Sequence, residues 1–202
     1  MDITPTMKAA LTLFREHTGI LRTSDALRLG IHPRTLYALR DAGLVEPLSR
    51  GLYRLTELQP LAYPDLVTVA HKIPQAVVCL VSALAFHGLT TQIPHAVDIA
   101  LLPQVAHPTL AYPPLRVFRF SGLALSEGVE LHTLDAIPVR IYAPAKCVAD
   151  SFKYRRKLGL DIALEALRTY RVHPAFQVDM LLRYAQICRV DNVMRPYLET
   201  LL

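Results

Sequence analysis

Residues 23–55 read Thr23-Ser-Asp-Ala-Leu-Arg-Leu-Gly30, then Ile31-His-Pro-Arg-Thr-Leu-Tyr-Ala-Leu-Arg-Asp-Ala-Gly-Leu-Val45, then Glu46-Pro-Leu-Ser-Arg-Gly-Leu-Tyr-Arg-Leu55. A short helix, a glycine turn, a second helix and a basic hairpin follow one another without slack. Thr23 is the expected N-cap of the first helix, and Ala26, Leu27 and Leu29 give it a small apolar face. Gly30 ends it by allowing positive φ. His32 caps the next helix and Pro33 suits its first position, where no backbone donor is needed. Gly43 stops that helix in turn. Two helices joined by a tight glycine-containing turn are the helix-turn-helix pattern, and the hairpin with Ser49-Arg50-Gly51 at its tip has the form of a wing.

At 100° per residue Leu36, Leu39 and Gly43 fall on one narrow arc of the second helix and are expected to face a core. Arg34, Tyr37, Ala38 and Asp41 then project away from it. An arginine near the start of a recognition helix can donate to guanine O6 and N7 together, and a small residue such as Ala38 lets the helix approach the groove. The candidate DNA contacts are therefore Arg34, Thr35, Tyr37 and Ala38 on the helix, with Arg50 and Arg54 of the wing holding phosphates. The plainer alternative is a helical pair docked on a partner domain, its arginines merely solvated.

The 202-residue chain is 52% hydrophobic, enough to bury real cores, and it carries a net charge of +5. Residues 1–60 hold eight Lys and Arg against six Asp and Glu, so the basic excess is not concentrated in the head. The charge suits a DNA-binding protein without deciding for one. Cys79, Cys147 and Cys188 are far apart, with neither a disulfide framework nor a zinc spacing, which fits a reducing cytoplasm. Charges run through the first fifteen residues, where a signal peptide would need an apolar run. The apolar stretch Ala76–Phe86 is too short to span a bilayer. A soluble, cytoplasmic protein with no membrane association is expected.

Before the head motif, Met7–Glu16 has apolar residues at helical intervals, and Ile20 and Leu21 supply a brief strand. The wing strands are expected at Leu44–Leu48 and Leu52–Leu55. A proline-bearing segment, Thr56–Pro64, marks a boundary, placing a winged helix-turn-helix in residues 1–58 and a second domain in 59–202. Pro64 opens a helix. Periodicity leaves Ala76–Val81 undecided between strand and helix, while a Ser82 cap and Gly88 favour a helix between them. Four strand-length runs follow at Val97–Leu102, Leu115–Phe120, Val129–Thr133 and Val139–Tyr142, predicting a largely antiparallel or mixed sheet. Helices return over Ala145–Leu158 and from Asp161, and a helical tail covers Gln177–Cys188 and Asn192–Leu202. The fold class expected is α+β.

Within the helix expected at 145–158, Lys146, Asp150, Lys153 and Lys157 share one face, with Arg156 on its flank. That face is open to three readings: a solvated, ion-paired stripe, a binding surface for an acidic partner or nucleic acid, or Asp150 acting as a base beside Lys146. No second carboxylate or histidine accompanies it in sequence. Among the histidines, His87 and His95 have no carboxylate or cysteine at ligand spacing, and His107, His132 and His173 stand alone. No nucleophile elbow and no glycine-rich phosphate loop occurs. No catalytic residue, metal site or cofactor is expected, and the chain does not read as an enzyme.

Three stretches carry a family resemblance: Gly51-Leu-Tyr-Arg-Leu55, Val78-Cys-Leu-Val-Ser-Ala-Leu-Ala-Phe-His-Gly-Leu-Thr-Thr-Gln-Ile-Pro94 and Ala143-Pro-Ala-Lys-Cys-Val-Ala-Asp-Ser-Phe-Lys-Tyr-Arg-Arg-Lys-Leu-Gly159. Together they make the chain resemble AbiEi-type antitoxins over nearly its full length. The resemblance implies a winged-helix repressor of its own operon, bound to double-stranded DNA at an inverted repeat. It implies further a second domain that opposes a nucleotidyltransferase-like toxin in an abortive-infection (phage-defence) system, without a stable complex. Lys146, Asp150, Lys153, Arg156 and Lys157 then become the candidate antitoxin surface. The alternative is an effector-sensing winged-helix regulator whose second domain binds a small ligand. A third reading is a nucleic-acid-modifying enzyme on a DNA-binding head.

Overall fold

The computed structural model describes residues 3–58, 61–135 and 137–200. Helix α1 (Pro5–Glu16) begins behind Thr4, whose hydroxyl accepts the Met7 N–H at 3.3 Å, and buries Met7, Ala10, Leu11 and Phe14. Strand β1 (Ile20–Arg22), α2 (Thr23–Arg28), α3 (Pro33–Asp41), β2 (Val45–Ser49) and β3 (Leu52–Leu55) follow, and the three strands form one sheet in the order β1-β3-β2. This is a winged helix. Its core joins the α1 stripe to Leu21, Ala26, Ile31, Leu36, Leu39, Val45, Tyr53 and Leu55.

Thr23 is not the cap of α2. It is the helix's first residue, and Arg22 occupies the cap position with no side-chain bond. Arg22 pairs with Leu52 as the last residue of β1, and the Thr23 N–H donates to the Gly51 carbonyl. The sheet thus holds Arg22 extended, and the helix starts immediately behind it. The glycine stops are as expected, and both build the same device. Gly30 (φ 88°) and Gly43 (φ 70°) take up left-handed backbone after α2 and α3. Gly30 N–H bonds Leu27 O and Ile31 N–H bonds Ala26 O, while Gly43 N–H bonds Arg40 O and Leu44 N–H bonds Leu39 O. Each is a Schellman termination that satisfies the last carbonyls of its helix and turns the chain sharply. Gly43 itself is exposed, so the buried arc of α3 consists of Leu36 and Leu39 without it. Pro47 is accommodated because β2 is an edge strand, where a missing N–H breaks no ladder bond to a further neighbour.

The remaining elements are α4 (Pro64–Lys72), β4 (Val77–Val78), α5 (Leu80–Phe86), β5 (Val97–Leu101), β6 (Leu115–Arg119), α6 (Leu123–Ser126), β7 (Val129–Leu134), β8 (Ile137–Tyr142), α7 (Pro144–Lys153), α8 (Arg155–Leu158), α9 (Leu160–Arg171), α10 (Val178–Cys188) and α11 (Asp191–Glu199). The last two residues of the helical tail expected at 192–202 lie outside the described residues. Five strands form a second sheet, ordered β6-β5-β4-β8-β7. Strand β4 is antiparallel to β5 and parallel to β8, and β5 is parallel to β6, so the sheet is mixed. The chain resolves into two compact units, Met1–Thr68 with Thr133–Ile137, and Val69–His132 with Pro138–Leu202.

The undecided run at 76–81 is a two-residue strand that turns into a helix at Cys79, extended at φ −139°, and Leu80, at φ 46°. Ser82 caps nothing. It lies inside α5, where its hydroxyl accepts the Asp98 N–H at 2.9 Å and donates to Ala96 O, stitching helix to β5. The helix expected over 145–158 is broken at Tyr154 (φ −98°, ψ 14°), whose ring packs 5.1 Å from Phe118 and 5.6 Å from Phe120. Helix α7 is buried at every position from Pro144 to Phe152, with α5, α9, α10 and α11 packed against it.

In the head, Leu39→Ala removes a fully buried anchor of α3, and we expect a loss of about 2–5 kcal/mol. Leu131→Ala, at a site 69% exposed, should stay within about 0.5 kcal/mol of the parent. Urea unfolding followed by circular dichroism measures both. A loss below 1 kcal/mol (roughly a fivefold change in equilibrium constant) at Leu39 would contradict the packing described.

Candidate nucleic-acid interface

Helix α3 is set by its two ends. The His32 ring nitrogen Nδ1 accepts the Arg34 N–H at 3.2 Å, Pro33 fills the first turn, and Gly43 ends it. With Leu36 and Leu39 buried, Arg34, Tyr37, Ala38 and Asp41 face solvent, and Thr35 is half-buried at the edge. Tyr37 is 45% exposed, a large apolar surface for an isolated aromatic. The sequence reading omitted Arg40. Its guanidinium lies 5.1 Å over the Tyr37 ring and 2.7 Å from the Asp41 carboxylate, which raises its pKa through the hydrogen bond and charge of that neighbour. The spacing of Tyr37 and Arg40 at i and i+3 was the available signal. Arg34, Tyr37 and Arg40 thus form a basic, aromatic strip along the exposed side of a nine-residue helix.

In the wing, Arg50 sits at the exposed tip of the β2–β3 turn. Arg54 does not point outward. Strand β3 is the middle of its sheet, with β1 and β2 hydrogen-bonded along its two edges, and all four of its residues are buried. The Arg54 guanidinium lies 3.2 Å from Glu46 and donates to Leu55 O and Leu58 O. It tethers the end of the wing and is withdrawn from phosphates.

The charged stripe expected at 146–157 is divided in the same way. Lys146 and Asp150 are 0% exposed and form an ion pair at 2.5 Å. The Lys146 ammonium sits 4.3 Å from the Tyr142 ring and 5.0 Å from Phe120, and Asp150 also accepts the Cys188 thiol at 3.1 Å. Burial pushes the Asp150 carboxyl above its ordinary range against the pull of Lys146, and pushes Cys188 up to about 12. These two residues belong to the core, so they are no part of an antitoxin surface. Lys153, Arg156 and Lys157 remain exposed, but Tyr154 interrupts the helix between them. Lys153 lines a groove with Leu123 and Arg189, and Lys157 lines another with His95 and Arg116.

A second buried carboxylate, Asp98, accepts both arms of Arg116 at 2.6 and 2.8 Å and the Val81 N–H at 3.1 Å. The parallel register of β5 and β6 places Asp98 directly beside Arg116, so this is a structural clasp. Among the described residues one group has the donors and proximity for a metal: His87, Glu130 and His132. Burial lowers the His87 pKa, keeping its ring neutral. No helix is long and apolar enough to cross a membrane among the described residues.

Residues 8–56 match the family described as transcriptional regulator, AbiEi antitoxin. That segment is the winged helix. The match supports an AbiEi-type antitoxin and DNA-binding transcriptional regulator, the resemblance drawn from the sequence. No curated protein matches the chain. Among solved structures the chain is similar to the crystal structure of RV2827C protein from Mycobacterium tuberculosis, with 12% identity and a TM-score of 0.57. The alignment covers 98% of this chain and 82% of that one, so the likeness in fold extends through both units.

The buried pair makes its own prediction. Lys146→Ala leaves Asp150 uncompensated in the interior, and we expect a loss of about 3–5 kcal/mol. Replacing both together, Lys146→Met with Asp150→Leu, should recover most of it. Thermal and urea melts of the single and double variants check this, and a double variant as unstable as the single would refute it.

Proposed function

We propose that this protein is the autorepressor of a toxin–antitoxin operon, reading an inverted-repeat operator through α3 while its second unit opposes a nucleotidyltransferase-like toxin. The observation that carries the DNA-reading half is the exposed strip Arg34–Tyr37–Arg40 on the helix that follows a tight turn, within the segment that matches the AbiEi antitoxin regulators. Helix α3 presents its N-terminal residues to base edges, Ala38 permits close approach, and Arg50 at the wing tip meets the phosphate backbone. A head of residues 1–58 reads a short site, so two copies on an inverted repeat supply the specificity that gene control needs. The antitoxin role is assigned to the second domain, residues 59–202, and needs no stable complex with the toxin. Its exposed basic residues Lys153, Arg156 and Lys157 are the surface through which it acts.

Footprinting the purified chain on the DNA upstream of its own gene tests the repressor reading, with a protected inverted repeat as the expected result. On that operator Arg34→Ala should weaken binding by about 1–3 kcal/mol and relax preference at one base position. Arg50→Ala should weaken all sequences alike and flatten the salt dependence by about one phosphate contact. Gel shifts at two salt concentrations separate the two effects. Unchanged binding in both variants removes DNA recognition from this face.

The antitoxin surface has a separate test. Reversing Lys153 and Lys157 to Glu should abolish rescue from the cognate toxin while leaving operator binding and the thermal melt intact, since both side chains are exposed and outside the head. Full rescue by the double variant would make them ordinary solvated charges.

A further inference from the structure

Strand β7 is the edge of the second sheet, and its alternation places Glu130 and His132 on one face and Leu131 on the other. That face meets the end of α5, where His87 is the C-cap residue. The rings of Phe86, His87 and His132 pack edge to face, with centroids 5.0, 4.9 and 5.7 Å apart. The Glu130 carboxylate lies 3.0 Å from His132 Nε2. An ordinary surface ion pair would account for those two residues. It does not account for a second imidazole brought to the same point, with one ligand atom from each of the three residues within 4.8 Å of the others.

The orientation of His87 is fixed from behind. Its Nε2 lies 2.8 Å from the Tyr142 carbonyl. A carbonyl can only accept, so Nε2 carries the proton and Nδ1 keeps its lone pair. Tyr142 is immobile in turn, buried completely, with its hydroxyl donating to Leu125 O at 2.8 Å and its ring against Lys146. Histidine metal ligands are characteristically held by such a second hydrogen bond to a backbone carbonyl.

We propose that His87, Glu130 and His132 form a binding site for one divalent transition-metal ion of the zinc class. Two imidazoles and one carboxylate are a borderline-soft donor set that suits zinc, cobalt or nickel over magnesium or calcium. Tetrahedral coordination at about 2.0–2.1 Å places ligand atoms roughly 3.3 Å apart. The Glu130–His132 separation is already close to that, and small side-chain rotations bring in His87. Three protein ligands leave a fourth position for water or an added ligand. Since Glu130 is exposed, the ion is reached from solvent without opening the core. Bound there, it clasps the sheet's edge strand to the end of α5, independently of the DNA-reading face.

The test uses the full chain, freed of metal with a chelator and titrated with zinc against a chromophoric competitor. One zinc per chain is expected, with micromolar or tighter affinity, together with the intense visible absorption of four-coordinate cobalt on substitution. His132→Ala and Glu130→Gln should each weaken binding by about tenfold or more, and His95→Ala should leave it unchanged. Zinc should raise the melting temperature of the parent and not of His132→Ala. His132 and Glu130 lie on an edge strand, so these variants decide the matter even if His87→Ala fails to fold. The cysteines are buried and do not compete in the native chain. No stoichiometric zinc in the parent, or equal binding by His132→Ala, overturns the site.

Discussion

Two charges hidden from water organise the second unit. Removing an ammonium and a carboxylate from solvent costs several kcal/mol apiece, and only close mutual contact with further satisfaction of both groups offsets it. Lys146 meets this condition through Asp150 and through two aromatic faces, and Asp150 through Lys146 and the Cys188 thiol. The partners come from different places: Phe120 just past β6, Tyr142 at the end of β8, and Cys188 at the end of α10. Each of those elements must therefore sit at a fixed distance from α7. The ion pair itself lies within α7, and a shift of any one of these elements loses an aromatic face of Lys146 or the thiol bond of Asp150, a cost that favours one packing among the many that hydrophobic burial alone would tolerate.

The head obeys a more local rule. Two Schellman turns, at Gly30 and Gly43, set the lengths of α2 and α3 and fix the direction of the chain after each. Because Leu36 and Leu39 then anchor α3 to the core, its opposite face is presented without further device. The same sheet that carries the wing withdraws Arg54 from solvent and leaves Arg50 at the tip. The exposed face of α3 is thus produced mainly by backbone terminations, with few side-chain bonds. The second unit depends instead on long-range polar pairs, and its exposed basic residues are those the core did not need.

The sequence by itself determined the winged helix, its helix stops, the exposed face of α3 and the proline-started helices, and it left the second sheet open between antiparallel and mixed. These are features of short range: a glycine's access to positive φ, a proline's missing donor, and the repeat of apolar residues at 3.6 or 2 positions each act within a turn or two. The family resemblance was legible for the same reason, since it rests on contiguous residues.

The tertiary structure alone decided which charges were surface and which were core. Lys146 and Asp150 have the spacing of a solvated i, i+4 pair, and nothing within α7 distinguishes them from one. Their burial follows from Tyr142, Phe120 and Cys188, which arrive from up to 38 residues away. Arg54 is buried although alternation along β3 would turn it outward, because sequence alternation does not show whether one face of a strand or both will be covered, and all four residues of β3 are buried. The grouping of His87 with Glu130 and His132 is the same kind of fact. Glu130 and His132 share a face by strand geometry, but a helix end some forty residues earlier joins them only once the sheet has formed. Local periodicity encodes which way a side chain points from its own backbone, and the packing of distant elements determines what it meets there.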